Sequence, residues 1–428
     1  MNLKYTWLPA DTPDNEFNIQ ITSANNSLLF THDKQKIYDA VSSWWCKPLG
    51  HGHQIVKKSI YEQLESFEHH IPANAWNCVI ENLSNKLVNI FTKMDKALYA
   101  SDGSSAIEMA MKLSYESRVL QNQPEKRQFI SLNGAYHGET IFTLGVCGID
   151  NYKKNFVGLI ADNIFIENIP YVTGRYDAIW HDCNFDECYW NNYFSGVSHT
   201  VTALIFEPIV QGAAGMKIIS RDFLTKLVTV ARKYDIHIIA DEIMVGLGRL
   251  GVLSVCKDII GFEPDLACFA KNLTAGSIPM STVVVNKSIS DVYRVHKKAF
   301  HHSHTHSCNT LAASVANSYL DYLSNTGILS NVLLAENELW NMMERLQTQF
   351  KFILSIRVIG SIAAIELNES VIKNNSIFEL GVKTGIYLRN IGNVLYVMPP
   401  IYNLLNEIFV IEKSLEEVLS KLHLNSLH

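Results

Sequence analysis

Two acids and a lysine, each following an apolar run, are the residues of this sequence best placed to do chemistry. The run IHIIA at 236–240 delivers Asp241 and Glu242, and after Pro264 a second run, LACFA at 266–270, delivers Lys271. Between them lies a turn rich in glycine (Gly246, Gly248, Gly251) that carries Arg249. Taken singly, each has an ordinary structural reading: an Asp-Glu pair can cap a helix, and a lysine can mark a solvated strand end. Taken together they supply what pyridoxal phosphate chemistry requires. The lysine amine forms the Schiff base, and the carboxylate keeps the pyridine nitrogen protonated so that the ring accepts electrons.

Other stretches could complete such a site. Gly103, Ser104 and Ser105 open a helix, where backbone N–H groups and the helix dipole favour a phosphate; the same SDGSS turn also reads as a simple N-cap. Tyr136, in NGAYHGET, follows a strand closely enough for its ring to stack on a planar cofactor, or else the Tyr-His pair merely closes a turn. Two clusters have metal-like composition, His181 to Cys188 and the HHSHTH tract at 301–306. The first matches no common zinc spacing and the second sits in a loop before a helix, so no metal is expected.

The elements that must position these residues are legible as α/β alternation. Strands are expected at 96–99, 128–132, 202–206, 236–240, 266–270 and 281–286, with helices at 106–119 and 223–234 between them. Helical crossovers of this kind argue for a mostly parallel central sheet with helices on both faces, whose ligands lie beyond the C-terminal strand ends. Before it, residues 17–40 read as short extended pieces, and 55–70 and 81–91 as helices. After it come helices at 311–323, 331–350 and 407–422, and strand-like runs at 356–367 and 385–397. The division expected is 1–41 as part of a small domain, 42–320 as the large α/β domain, and 321–428 as the rest of the small α+β domain, built from the two chain ends.

With these motifs in hand, the chain resembles the class III, or ornithine/ω-type, aminotransferases. The lysine–acid pair with its glycines, YHGET at 136–140 and EPIVQGAAGM at 207–216 carry the likeness. It implies a fold-type I pyridoxal-phosphate transferase. It also implies catalytic roles for Lys271, Asp241 and Tyr136, and cofactor contacts from Gly103, Ser104, His137 and Glu207. Thr305 would reach the phosphate of a neighbouring subunit, making a homodimer with shared active sites. SSWW at 42–45, HSHT at 302–305, RVIGSIAAIE at 357–366 and LYVMPP at 395–400 resemble one branch of the family, which aminates a nine-carbon amino-keto acid in biotin synthesis with S-adenosylmethionine or, in some relatives, lysine as amine donor; the rival readings are another class III ω-aminotransferase and, more remotely, a non-catalytic relative that keeps the fold. That likeness implies a substrate pocket lined by Tyr5, Trp44, Tyr136, His304 and Tyr396. Arg389 would bind the distant carboxylate, with Arg249 as a second polar partner. Two departures stand out: Glu139 replaces the commoner aspartate of the YHGDT-type element, and Asn390 replaces a proline after the arginine.

Composition bounds the rest. The 428 residues are 47% hydrophobic and 18% charged, as in an ordinary globular protein, and the net charge of −6 gives no case for nucleic acid or an anionic membrane. No apolar run approaches the roughly 18 residues of a spanning helix, and residues 1–17 lack a secretory pattern. Cys147, Cys256 and Cys268 sit inside apolar runs, as reduced thiols do. These features point to a cytoplasmic enzyme. No GxGxxG follows a strand at a suitable place, which makes a plain NAD-binding α/β protein the remoter reading.

Overall fold

The structure, a computed structural model, describes residues 5–12, 17–373 and 375–426. The expectation about a leader rests partly on 1–4 and 13–16, outside the described residues. No described helix is long and apolar enough to cross a membrane.

The central sheet runs in space Met94–Ala100, Ser281–Asn286, Leu266–Phe269, His237–Asp241, Val201–Phe206, Gln128–Leu132, Ile164–Ile166. Neighbouring strands pair in parallel except at Ser281–Asn286, which runs against both of its neighbours. All six residues of Val201–Phe206 are buried, because the sheet is covered on both faces. Strand alternation divides the side chains. Leu204, Phe206, Ile238 and Ala240 pack with Leu224, Leu227 and Val228 of helix Arg221–Lys233. Ala203, Ile205 and Ile239 pack instead with Ile107, Ala110 and Met111 of helix Gly103–Leu120. Each such Leu, Ile or Phe contributes roughly 1.5–3 kcal/mol by leaving water. With the sheet clamped between two cores, its C-terminal edge is rigid enough to carry a site.

The remaining strands differ from their expected outlines. The run at 356–367 is two antiparallel strands, Ile353–Ile359 and Ile362–Leu367, joined by a tight turn at Gly360 and Ser361. The run at 385–397 divides into Ile386–Tyr387, Arg389–Ile391 and Val394–Val397. Helices Ile328–Gln349 and Leu404–Ser426 cover this sheet through Leu339, Met342, Ile411 and Leu415. The chain ends meet: Lys36–Asp39 pairs in parallel with Ile386–Tyr387, and Tyr38 Oη donates to Glu407 at 2.6 Å.

Candidate active site

A cavity of about 540 Å³ opens at the C-terminal edge of the sheet, and it is lined by Lys271, Asp241, Glu207, Tyr136, His137, Gly103, Ser104 and Trp45. Each arrives from the end of a strand or the start of a helix. Asp241 closes His237–Asp241, Glu207 follows Val201–Phe206, and Lys271 follows Leu266–Phe269. Asp102 caps the helix of Gly103 by accepting from Ser105 N at 2.9 Å and Ser105 Oγ at 2.8 Å. Ser105 is thus spent on the cap, whereas Gly103 and Ser104 face the cavity.

The polar groups are tightly held. Asp241 Oδ2 lies 2.7 Å from His137 Nδ1, and Asp241 Oδ1 accepts from Ile243 N at 3.2 Å. His137 is fully buried, and its Nε2 has no partner among the described residues. Glu207 accepts from Tyr136 N at 2.9 Å through one oxygen and from Gly212 N at 3.0 Å through the other. Burial, with the Asp241 charge nearby, pushes its carboxyl up to about 8 against the pull of those two N–H groups. Burial lowers the Lys271 amine from the ordinary lysine range, opposed by the charges of Asp241 and Glu207. A lysine so shifted keeps more of its amine in the free, nucleophilic form. Tyr136 Oη donates to Glu139 Oε1 at 2.8 Å, and burial followed by that carboxylate raises the phenol well above its usual value.

The wall beside the lysine is built unusually. Ser42, Ser43, Trp44 and Trp45 have φ of 49°, 46°, 75° and 71°, a left-handed turn without a glycine. It closes right through the backbone: Trp45 N donates to Val41 O at 2.8 Å and Cys46 N to Ser42 O at 2.9 Å. The handedness costs roughly 1–2 kcal/mol per residue, so something outside the turn must hold it. One consequence is local: a Cβ on Gly276 would lie 2.1 Å from Cys46 O, so only glycine lets the loop after Lys271 approach.

Several residues lie where the cavity needs them and others do not. Lys271, Asp241, Glu207, Tyr136, His137, Gly103 and Ser104 line it together. Tyr396 stands behind, buried, accepting from Trp45 Nε1 at 3.1 Å, with its phenol pushed up to about 12 by burial. His304 Nδ1 is 3.3 Å from Ser101 Oγ at the cavity rim. Arg389 lies with its guanidinium 4.4 Å from the centre of the Trp44 ring.

Three expectations need correction within this chain. Tyr5 is 90% exposed and does not line the cavity. Trp44 is turned outward under Arg389, and the lining tryptophan is its neighbour Trp45, whose ring centre is 5.0 Å from Lys271 Nζ. Arg249 is wholly buried and donates to Pro399 O at 2.7 Å and Ser361 Oγ at 3.2 Å, so it braces the chain instead of offering a polar partner to substrate. Thr305 also lies away from the cavity of its own chain, its carbonyl 2.9 Å from His69 Nε2. Sequence reasoning passed over Cys46, Ile243, Met244 and the 276–280 loop, which line the cavity. The DEIM run was the available signal for Ile243 and Met244. Glu242, the other acid, faces away and accepts from Ser254 Oγ, Val255 N and Cys256 N at 2.7–2.8 Å. Among the described residues no group of His, Cys, Asp and Glu is arranged to hold a metal ion.

The sequence profile of the class III aminotransferases matches residues 10–419. The chain belongs to that family. Class III aminotransferases are pyridoxal-phosphate enzymes, and this aminotransferase shares the fold throughout. The adenosylmethionine-8-amino-7-oxononanoate aminotransferase of Helicobacter pylori is 29% identical over 438 residues, covering 99% of this chain and 97% of that protein. The Aquifex aeolicus protein of the same name is 29% identical over 386 residues, covering 86% and 84%. In structure, the Methanocaldococcus jannaschii protein of that name superposes with a TM-score of 0.88 at 24% identity, covering 97% of each chain. An amine transaminase from an uncultivated Pseudomonas species gives the same TM-score and identity over 98% and 99%.

The residues present fit the cofactor. Lys271 is a buried amine, Asp241 a carboxylate already braced by His137, and the helix start at Gly103 and Ser104 offers N–H donors to a phosphate. A cradle is also kept clear beside Ser104: a Cβ on Gly138 would lie 2.3 Å from Ser104 Oγ.

Proposed function

We propose that this aminotransferase converts 8-amino-7-oxononanoate to 7,8-diaminononanoate in biotin synthesis, with S-adenosylmethionine as amine donor. It would act as a cytoplasmic homodimer, with Thr305 and its loop serving the neighbouring subunit's phosphate site. Its small domain would comprise residues 1–41 and 321–428, set against a large domain of 42–320. The observation that carries the substrate reading is the guanidinium of Arg389 stacked on Trp44, beside a cavity whose lysine stands against Trp45. A planar fork held by an aromatic face suits a carboxylate at the far end of an aliphatic chain. The full-length similarity to proteins bearing that enzyme's name supports the same reading.

The cofactor, when bound, supplies an electron sink that stabilises the carbanion formed at the amine-bearing carbon. The chain's residues do the rest. Lys271 would hold the cofactor through its side-chain amine, and that amine, once free, would take the proton from the substrate's Cα. The lowered proton affinity of that amine favours its free-base form. Asp241, oriented by His137, holds the positive charge on the pyridine nitrogen. Tyr136 and Trp45 exclude water from the reacting carbon. Over the two half-reactions the donor's CH–NH2 becomes C=O and the acceptor's C7 ketone becomes CH–NH2, with one water consumed and one released, so no external oxidant or reductant is needed. Since both substrates use one cavity in turn, the kinetics are ping-pong.

The test is a visible-absorption titration of the purified enzyme with S-adenosylmethionine, then with 8-amino-7-oxononanoate. Loss of the pyridoxal band on the first addition and its return on the second is the expected result. A band that ignores S-adenosylmethionine and responds to lysine would move the donor. A band that never returns with the nine-carbon ketone would overturn the substrate.

A further inference from the structure

The left-handed turn at Ser42–Trp45 decides where two rings point. Trp44 faces the Arg389 guanidinium and Trp45 faces the Lys271 amine, although they are adjacent in sequence. Winding the same four residues the other way would reverse the step from one ring to the next, and the two could not serve both walls. The turn contains no glycine to favour its handedness, so its conformation is imposed from outside.

The buried carboxylate of Asp39 does the imposing. Oδ1 accepts from Ser43 N at 3.0 Å and more distantly from Val41 N at 3.4 Å. Oδ2 accepts from Ser43 Oγ at 2.8 Å and meets His51 Nε2 at 2.9 Å. The Asp39 side chain is 1% exposed, and Asp39 lies at the end of strand Lys36–Asp39, which is pinned by Ile386–Tyr387. Ser42 Oγ donates to Met398 O at 2.7 Å and ties the far side of the turn to the strand that bears Tyr396. None of these groups reaches the cavity lining, so whatever Asp39 contributes to catalysis passes through the turn, to Trp44, Trp45 and Cys46.

We propose that Asp39, seconded by His51, is a positioning residue for substrate selectivity: it winds the left-handed turn that sets Trp44 under the carboxylate-binding arginine and Trp45 against the reactive lysine. This rests on the reading of Arg389 as the carboxylate anchor. The network predicts a particular failure. Asp39→Asn keeps an acceptor for the backbone of residue 43 but replaces Oδ2, which serves Ser43 Oγ and His51, by an amide that cannot accept. The turn then loosens, the anchor drifts, and binding suffers before chemistry does.

The experiment compares wild type, Asp39→Asn, Ser43→Ala and the double variant Asp39→Asn/Ser43→Gly. Steady-state kinetics with the nine-carbon ketone are read beside the tryptophan emission of the cofactor-free protein, using Trp45→Phe to assign the signal. Asp39→Asn should raise KM about tenfold while kcat falls less than about threefold, with a shift in Trp45 emission. Glycine at 43 adopts the left-handed conformation freely, so the double variant should recover most of the KM and the emission. Should Asp39→Asn fail to fold, Ser43→Ala reports alone, raising KM in the same direction with an unchanged melting temperature. Wild-type KM and emission in Asp39→Asn, or a raised KM that Ser43→Gly leaves untouched, or an unaltered KM in Ser43→Ala, would each overturn the role. If the wild type does not turn over the nine-carbon ketone, the substrate reading falls. The emission comparison and its rescue by Ser43→Gly then still decide whether Asp39 winds the turn.

Discussion

Replacing Gly138 by alanine tests whether the start of the helix Gly103–Leu120 is the phosphate end of the cofactor site. The added Cβ would stand 2.3 Å from Ser104 Oγ, 2.8 Å from Ser104 Cβ and 3.0 Å from Thr143 Oγ1. Rotating Ser104 relieves the first contact but not the second, since Cβ moves only with its backbone. Overpacking of this kind costs about 1–3 kcal/mol. Holding a non-glycine residue at the φ of +121° found here adds about 1–3 kcal/mol more. If even about 2 kcal/mol of this falls on the bound state, pyridoxal phosphate binds roughly 30-fold more weakly. The assay is a titration of the cofactor-free protein followed by visible absorption, with the melting temperature recorded to separate local from global damage. Gly158→Ala is the control, because nothing lies within 4 Å of its added Cβ. Cofactor affinity unchanged in Gly138→Ala, with an unchanged melt, would refute the assignment of this helix start.

Lys271→Ala should abolish transamination and leave pyridoxal phosphate bound without a covalent link, so that borohydride traps none of it; sustained turnover would count against the lysine. Glu207 bears on pH: its carboxyl sits at about 8 in the fold, against about 4.3 in an unfolded chain. Its contribution to the stability of the cofactor-free protein is therefore complete below about pH 4.3 and is lost as pH rises to about 8, with a slope of at most about 1.4 kcal/mol per unit. Glu207→Gln should flatten that stretch of the melting-temperature curve, and a curve parallel to wild type would contradict the shift. His137→Phe leaves the buried Asp241 carboxylate with Ile243 N as its one remaining hydrogen-bond donor among the described residues, so it should lower the melting temperature and slow the amine half-reaction about 10- to 100-fold, checked by single-turnover absorbance. Arg389→Leu should raise KM for the nine-carbon ketone by about 30-fold or more while leaving its des-carboxy analogue unaffected; equal losses for both would show that the arginine does not read the carboxylate.

The buried strands were legible because their chemistry is local: VTALIF at 201–206 has no polar face, and only a sheet covered on both sides accepts such a run. The direction of Ser281–Asn286 was not legible, since STVVVN is equally apolar in either orientation and its antiparallel pairing is decided by the neighbours it meets. Lys271 and Asp241 could be picked out as cavity residues because each stands at the end of a strand at one edge of the sheet. Trp44 and Trp45 could not be told apart. Their sides depend on a left-handed turn that residue propensities disfavour, and that turn is enforced by an aspartate three residues upstream and by a carbonyl at position 398. Arg249 misled for a related reason: an arginine in a glycine-rich turn reads as exposed until Pro399 and Ser361 close over it.

The meeting of the chain ends also sets a timetable. Ser42 waits for the carbonyl of Met398, and strand Lys36–Asp39 waits for Ile386 and Tyr387. On a ribosome adding about 5–20 residues per second, those partners emerge roughly 20–70 s after the turn they hold. The residues of the helix Gly103–Leu120 and of the central sheet emerge within that interval, but the wall that carries Trp45 lacks its holding contacts until residues 386–398 have followed. Ile37 and Tyr38, buried in the finished protein, are without their covers for the same period. Maturation of this enzyme is thus tied to the synthesis of residues 386–398, and a chain interrupted before them would hold Lys271 without the contacts that wind its tryptophan wall.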